Sequence, residues 1–343
     1  MSTPGLRALR KAYPEAWIVG QLPLGLAPLL EGSGYFDEIW PVVPRRSGFS
    51  RLHVEAKRLA EARFDLGIVI PESISSALSM RWGRVGRVTG FARDPLRRWL
   101  LHEVALAPQA WGRRRLVSRE RFVLELMAAI GVETDDLTLG LFVTDGEEAR
   151  LDAALGEQGR GIAELVRDPP ILLAPGASFG ASKCWPAESF GELADRFAAR
   201  GRSVILVGGP GEHRRLEAVR ASMKSRPLVL DGVLDLGSLK ALIRRADLLV
   251  ANDAGARHIA AAFDIPSVIF FGPTSVSKTA DNLAAIEILE TDHDCRPCYL
   301  RSCPIDHRCL RTITVADADD AVSRAMGREG GKARARPALG ATA

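Results

Sequence analysis

Residues 248–263, with the sequence LLVANDAGARHIAAAF, decide the fold class of this chain. The run Leu248–Ala251 is continuously apolar, which is typical of a parallel strand buried on both faces. Polar Asn252 and Asp253 end the strand, and the apolar positions of Gly255–Phe263 then follow a helical spacing. A buried strand that leads directly into a helix is the repeating unit of a doubly wound parallel sheet.

The same unit recurs through the C-terminal half, so we predict one doubly wound α/β domain over residues 166–327. Its strands are expected at Ile171–Ala174, Ser203–Gly208, Leu228–Leu230, Leu248–Ala251, Ser267–Phe271 and Ile286–Leu289. Its helices are expected at Glu188–Arg200, Glu212–Lys224, Leu236–Arg245 and Gly255–Phe263. Residues 328–343 are rich in Gly, Lys, Arg and Ala, which predicts a disordered tail.

The first half repeats the pattern less clearly and predicts a second Rossmann-like domain over residues 1–165. Its strands are expected at Ala16–Val19, Glu38–Val43, Asp65–Ile70 and Arg87–Gly90, and its helices at Pro4–Lys11, Leu24–Glu31, Arg51–Arg63 and Ser118–Ile130. The first helix is well signalled, with Ser2 or Thr3 as N-cap and Pro4 at its first position. Such a helix normally follows a buried strand, so we expect the first strand of this domain to be missing.

Composition excludes several classes of protein. With 343 residues, 47% hydrophobic and 26% charged, the chain is typical of a soluble protein with room for two domains. No apolar run reaches the roughly 18 residues of a membrane-spanning helix, and the N-terminus lacks the apolar core of a signal peptide. These features predict a cytoplasmic location.

Positive charge is concentrated in residues 81–121, which carry eleven arginines, three acids and no lysine. Two interpretations stay open: a solvated face, or a surface for an acidic partner such as a phosphorylated substrate or an anionic membrane. In the second case the protein would contact the inner membrane peripherally. A nucleic-acid partner is not expected, because no binding motif accompanies the arginines.

Three loops at predicted strand ends favour phosphate binding, because the N–H groups and dipole of a following helix attract anions. They are Ala174–Pro186, Gly208–Glu212 and Asn252–His258. Their glycines match neither the dinucleotide pattern Gly-x-Gly-x-x-Gly nor the P-loop. Each loop alone indicates only an α/β fold, but together they would meet at one carboxyl edge, where such sheets bind ligands.

These stretches resemble the bacterial lipopolysaccharide heptosyltransferases of glycosyltransferase family 9. The resemblance spans most of the chain and is densest in Ile171–Cys309. It is carried by Gly176, Lys183-x-Trp185-Pro186, Asn252-Asp253-x-Gly255-x-x-His258 and Phe271-Gly272-Pro273-Thr274. It implies a GT-B enzyme, with two Rossmann-like domains facing a central cleft. It also implies ADP-heptose as donor and a phosphorylated, lipid-linked oligosaccharide as acceptor.

The resemblance also implies a set of substrate-binding residues. Ser178 and Lys183 would contact the donor diphosphate, and Glu212 would bind the ribose hydroxyls. The phosphates and the sugar would lie against a segment that comprises Asn252, Asp253, Ala254, Gly255 and His258. Position 254 departs from the family, which often has Thr or Ser there, so a hydroxyl contact to phosphate would be lost.

The catalytic residue is unknown. In the family an Asp thought to be the general base follows the first strand, shortly before the Ser/Thr-Pro that begins the first helix. Here that motif begins at Met1-Ser2-Thr3-Pro4, so the matching Asp would lie upstream of Met1. The remaining acids Asp37, Asp65 and Glu72 do not match its position.

Four of the five cysteines lie in the spacing Cys295-x2-Cys298-x4-Cys303-x5-Cys309. The first pair has the spacing of a zinc knuckle, while the second pair is wider than usual. We favour reduced thiols in a packed loop over a structural metal, and we expect no catalytic metal or cofactor.

Three other functions share these loops: a GT-B glycosyltransferase with another donor, a GT-B sugar-nucleotide epimerase, and a non-catalytic sugar-nucleotide-binding protein. Of these, only a transferase needs an acceptor to form product.

Overall fold

The computed structural model describes residues 1–42, 48–92, 95–105 and 117–327. It divides into two compact units: Met1–Thr144 with Ser275–Asn282, and Asp145–Thr274 with Leu283–Ala343. The predicted tail, 328–343, lies outside the described residues, as do four of the eleven arginines in the basic stretch: Arg93, Arg113, Arg114 and Arg115.

The described residues of the first unit form five parallel strands: β1 (Val19–Leu22), β2 (Glu38–Pro41), β3 (Leu66–Val69), β4 (Arg87–Phe91) and β5 (Glu103–Ala105). Its α-helices are α1 (Thr3–Ala12), α2 (Gly48–Ala62), α3 (Ile74–Trp82), α4 (Pro95–Leu100) and α5 (Arg119–Ala128). Short 3-10 helices occupy Leu24–Leu29 and Val276–Thr279. The strands form two sheets, β1-β2 and β3-β4-β5, and no described strand joins them.

Several elements of this unit differ from the sequence prediction. β1 begins at Val19 instead of Ala16, because the preceding residues make side-chain contacts: Trp17 stacks on Phe64, and the Ile18 N–H donates to the Asp37 carboxylate. α3, α4 and β5 were not predicted from the sequence. These elements are short, and α4 is anchored by the buried Arg97, a tertiary contact that no sequence period reveals.

The second unit, up to residue 327, contains six parallel strands: β6 (Ile171–Ala174), β7 (Val204–Gly208), β8 (Leu228–Asp231), β9 (Leu248–Asn252), β10 (Ser267–Phe271) and β11 (Ile286–Glu290). Its α-helices are α6 (Asp145–Gly156), α7 (Ile162–Arg167), α8 (Ala187–Ala199), α9 (His213–Ser222), α10 (Leu236–Arg245), α11 (Gly255–Ala262), α12 (Arg308–Arg311) and α13 (Val315–Gly327). The strands form one sheet in the order β11-β10-β9-β6-β7-β8. The predicted doubly wound α/β fold is therefore confirmed.

The boundary between the units falls after Thr144, not after residue 165 as the sequence analysis expected. The physical reason is that α6 packs on α10 in the second unit. There the Lys240 ammonium lies 2.9 Å from the Glu147 carboxylate, and both side chains are fully buried. The chain also re-enters the first unit at Ser275–Asn282, where Asp281 accepts hydrogen bonds from Ser118 and Arg121.

Candidate functional site

The carboxyl ends of three neighbouring strands in the second unit form the candidate site. β6 lies between β7 and β9, so the three loops that the sequence analysis singled out meet at one edge of the sheet. β6 is also the first strand of this sheet, and the chain later returns to its other side with β9. This edge is therefore the switch point at which open parallel sheets bind ligands. We call residues 175–186 the β6 loop.

Asn252, at the end of β9, holds the β6 loop in place. Its side-chain amide donates to the Pro175 carbonyl at 2.7 Å, and its side-chain oxygen accepts from the Trp185 N–H at 2.9 Å. Asn252 is fully buried, so these bonds satisfy an amide that has no access to water. The geometry makes Asn252 a positioning residue for the loop.

A cluster of charged side chains surrounds Asp253, the next residue. The Lys183 ammonium lies 2.6 Å from one carboxylate oxygen of Asp253 and also donates to the Asp253 carbonyl at 2.9 Å. The Arg257 Nε donates to the other carboxylate oxygen at 2.8 Å. The Thr274 hydroxyl donates at 2.8 Å to the same oxygen that Lys183 contacts. We call Lys183, Asp253, Arg257 and Thr274 the Asp253 cluster.

The Asp253 cluster keeps its carboxylate ionised and carries a net positive charge. Burial alone would raise the pKa of Asp253, but the Arg257 and Lys183 charges and the hydrogen bonds outweigh it and lower the pKa. Two cations and one anion leave a net charge of +1 (2 − 1) in a largely buried place. Such a cluster suits an anionic ligand.

The N-terminus of α11 lies directly beside this cluster. Ala254 is its N-cap residue, in an extended conformation and without a side-chain cap, so the first N–H groups of the helix have no side-chain partner there. A Cβ on Gly255 would meet no other atom within 4 Å, so the glycine leaves open space in front of the helix. An anion can therefore approach the helix closely.

His258 lies on the first turn of α11 and is neutral at physiological pH. Burial, followed by the nearby Arg257 charge, lowers the pKa of His258 to about 3. Its imidazole can therefore offer a hydrogen bond to a ligand, but no positive charge.

The carboxylate of Glu212 lies over Gly176, where the loop after β7 meets the β6 loop. It accepts a hydrogen bond from the Gly209 N–H at 2.8 Å. A Cβ on Gly176 would overlap the Glu212 carboxylate, so only glycine allows this approach. Glu212 is thereby held at the edge of the sheet.

Two members of the Asp253 cluster, Arg257 and Thr274, were not predicted as site residues from the sequence. Thr274 stands at the end of the quoted Phe271–Thr274 stretch, which was the available signal. The sequence contains no signal for Arg257, because an arginine on a helix is expected to be exposed. In the structure its side chain is only 1% exposed. Ser178, by contrast, is exposed on the β6 loop.

Among the acids of the first unit, Asp37 has a structural role. The Ile18 N–H and the Arg10 guanidinium donate to its carboxylate, at 2.7 and 2.6 Å. These hydrogen bonds, with that from Ile18 the larger cause, lower the pKa of Asp37. The carboxylate thus ties α1 to the start of β1.

The cysteines of the C-terminal segment are free thiols. Cys309 is buried, Cys303 is partly buried, and Cys295 and Cys298 are exposed. Burial and the neighbouring thiols raise the pKa of Cys309. Within the described ranges no three His, Cys, Asp or Glu side chains are grouped as metal ligands. The choice between packed thiols and a structural metal remains a prediction.

Comparison with known proteins identifies the family to which the chain belongs. The model of glycosyltransferase family 9 (heptosyltransferase) matches residues 53–308. Lipopolysaccharide heptosyltransferase 2 of Salmonella typhimurium is 30% identical over 297 residues, which cover 81% of this chain and 80% of that protein. The Escherichia coli enzyme of the same name is 29% identical over 292 residues, covering 81% and 80%.

Two solved structures are also similar to the structure of this chain. That of E. coli ADP-heptose LPS heptosyltransferase II has a TM-score of 0.77 and 25% identity, covering 95% of this chain and 94% of that one. A family 9 glycosyltransferase from Veillonella parvula has a TM-score of 0.78 at 22% identity, covering 95% and 92%, and shows the shared fold alone. The resemblance inferred from the sequence is confirmed: the chain belongs to glycosyltransferase family 9, the heptosyltransferase family.

Proposed function

We propose that this protein transfers a heptose from ADP-heptose to the inner core of lipopolysaccharide. Two relatives that each match 81% of the chain are named lipopolysaccharide heptosyltransferase 2. The observation that carries the proposal is the Asp253 cluster beside the uncapped N-terminus of α11, at the switch point of the sheet. Its net positive charge matches a diphosphate.

The geometry divides the work of binding the donor among named groups. Lys183 and the first N–H groups of α11 would bind the diphosphate and stabilise the charge that develops on it as it leaves. Glu212 would bind the ribose hydroxyls, and neutral His258 would hydrogen-bond the phosphate or the sugar. Exposed Ser178 would reach the diphosphate from the β6 loop. Asn252 and Asp253 would act indirectly, by positioning the loop and Lys183.

We also propose that the acceptor is a phosphorylated, lipid-linked oligosaccharide and that the protein meets it at an anionic membrane surface. No helix in the described ranges is both long and apolar enough to span a bilayer. On α4, however, Trp99 is 85% exposed, Leu96 is 60% exposed, and Arg98 is exposed between them. Exposed Trp and Leu beside Arg suit the interface of an anionic bilayer.

The helix α4 is firmly anchored for this role. Buried Arg97 donates to the carbonyls of Phe91 at 2.6 Å and Pro71 at 2.8 Å, and also to that of Ser73.

Replacing both Leu96 and Trp99 with serine should reduce sedimentation with phosphatidylglycerol liposomes, and high salt should reduce it further. Val54→Ser, at an exposed valine on α2, is the control. Equal sedimentation of all three proteins would contradict the membrane contact.

The transferase activity is tested by incubating the protein with ADP-heptose, first alone and then with heptose-bearing inner-core acceptor. We expect ADP and an extended acceptor only in the second reaction. Alteration of the donor without acceptor would indicate an epimerase instead. Turnover of another sugar nucleotide in place of ADP-heptose would indicate a transferase with a different donor. Binding without turnover would indicate a non-catalytic sugar-nucleotide-binding protein.

A further inference from the structure

The segment between β11 and α12, residues 291–307, packs directly on the β6 loop. The Ser182 N–H donates to the Arg301 carbonyl at 3.2 Å, and the Ser182 hydroxyl donates to the Leu300 carbonyl at 2.5 Å. The His307 Nε2 donates to the Ser182 carbonyl at 2.7 Å. A Cβ on Gly180, whose φ is +151°, would overlap the Arg301 carbonyl. Ser182 therefore fixes the backbone of this segment against the loop that carries Lys183.

This packing brings a second cation to the ring that lies beside Lys183. The Lys183 ammonium is 5.2 Å from the centre of the Phe179 ring, and the Arg301 guanidinium carbon is 5.5 Å from the same centre. Both distances are within the range of cation–π attraction. Phe179 thus attracts two cations to the β6 loop, one from within the loop and one from the segment packed on it.

The charge available to a diphosphate makes the second cation significant. The diphosphate of a sugar nucleotide carries about two negative charges, and a further one develops as it leaves. The Asp253 cluster supplies a net charge of only +1, because Asp253 pairs with both Lys183 and Arg257. The cluster alone therefore leaves the leaving group under-neutralised.

The side chains of two other arginines near this edge of the sheet already bind groups of the protein. Arg215 donates to the carbonyls of Pro175 and Trp185. Arg296 donates to the Gly272 carbonyl at 2.6 Å and pairs with Glu290 at 2.7 Å. Arg301 is exposed, and no ion pair joins it to an acid within the part of the chain that the structure describes.

We propose that Arg301 is the second cation of the diphosphate site, held ready by Phe179 and by the backbone bonds of Ser182. This inference rests on the proposed function. In the transfer, the bond between the anomeric carbon and the diphosphate oxygen breaks and its electron pair stays on ADP. The acceptor oxygen forms the new bond to that carbon, and its proton is released to the surrounding water. Arg301 stabilises the charge that ADP gains.

The test compares Arg301→Ala, Arg301→Lys and the matched control Arg308→Ala, by calorimetric titration with ADP and with adenosine. Arg308 lies on the start of α12, is exposed and pairs with Asp306 at 2.9 Å. Arg301→Ala should weaken ADP binding about tenfold or more, as expected for a lost charged hydrogen bond. Adenosine binding should not change, since adenosine lacks the diphosphate. Arg301→Lys should retain part of the affinity, and Arg308→Ala all of it.

Three results would overturn the proposal while the proposed function stands. These are unchanged ADP binding by Arg301→Ala, an equal loss for ADP and adenosine, or a raised KM for acceptor with unchanged ADP binding. If Arg301→Ala unfolds at a lower temperature than the unaltered protein, Phe179→Leu provides the second variant. It should weaken ADP binding and leave adenosine binding unchanged, and the absence of that difference would overturn the proposal. Failure of the unaltered protein to bind ADP would overturn both the proposal and the proposed function.

Discussion

Replacing Lys183 with methionine tests how much the Lys183 charge contributes to the stability of the fold and how much it contributes to donor binding. The Lys183 ammonium and the Asp253 carboxylate are 2.6 Å apart, and their side chains are only 13% and 10% exposed. Removing one partner of a buried pair costs about 3–5 kcal/mol when the other is left alone. Here Arg257 and Thr274 still contact Asp253, so we expect the free energy of unfolding to fall by about 1.5–3 kcal/mol, the value of one charged hydrogen bond.

The same substitution lowers the net charge of the cluster from +1 to 0, because Arg257 alone then balances Asp253. ADP affinity should fall about tenfold or more. Urea unfolding measures the first effect and calorimetric titration with ADP the second. Lys224→Met, at an exposed lysine of the same unit, is the control and should change neither.

The double variant Lys183→Met/Asp253→Asn separates the two roles. It also removes the carboxylate that pairs with the buried Arg257, so the lost stability should not return, and ADP binding should remain weak because the Lys183 ammonium is still absent. Neighbouring charges couple by about 0.5–3 kcal/mol in such cycles. Recovery of ADP affinity together with stability would refute the reasoning, because Lys183 would then act only by neutralising Asp253.

Three further predictions concern the same edge of the sheet. Gly176→Ala should displace the Glu212 carboxylate and raise the KM for ADP-heptose, whereas Gly209→Ala, where a Cβ would lie 3.8 Å from Glu212, should not; equal KM values would contradict this. Ala254→Ser should cap α11 and raise the free energy of unfolding by about 0.5–2 kcal/mol, whereas Ala256→Ser, two residues further along and inside the helix, should not, and thermal melting measures the difference. Because the pKa of His258 falls from 6.5 to about 3 on folding, the unfolded chain binds the proton first, so stability should drop between about pH 6.5 and 3, by at most about 5 kcal/mol. His258→Gln should remove that part of the pH dependence. An acid-unfolding curve that is the same for His258→Gln and the unaltered protein would exclude this contribution of His258.

The sequence by itself determined the fold of the second unit. Its strands are buried on both faces, so they appear as continuous apolar runs, and Ile171–Ala174 and Ser267–Phe271 begin and end as predicted. The three loops could be located for the same reason, since each follows such a strand. The first unit was less predictable, because α3, α4 and β5 are short and their positions depend on contacts such as those of Arg97.

Only the tertiary structure decided which charges are shared. Lys183, Arg257 and Thr274 come from three separate parts of the chain, and they meet at Asp253 because β6, β9 and β10 are neighbours in the sheet. The approach of Arg301 to Phe179 likewise depends on packing across more than a hundred residues of sequence. Sequence patterns predict the burial and periodicity of each element separately. Ion pairing depends on distances between elements, and these distances are set only when the chain has folded.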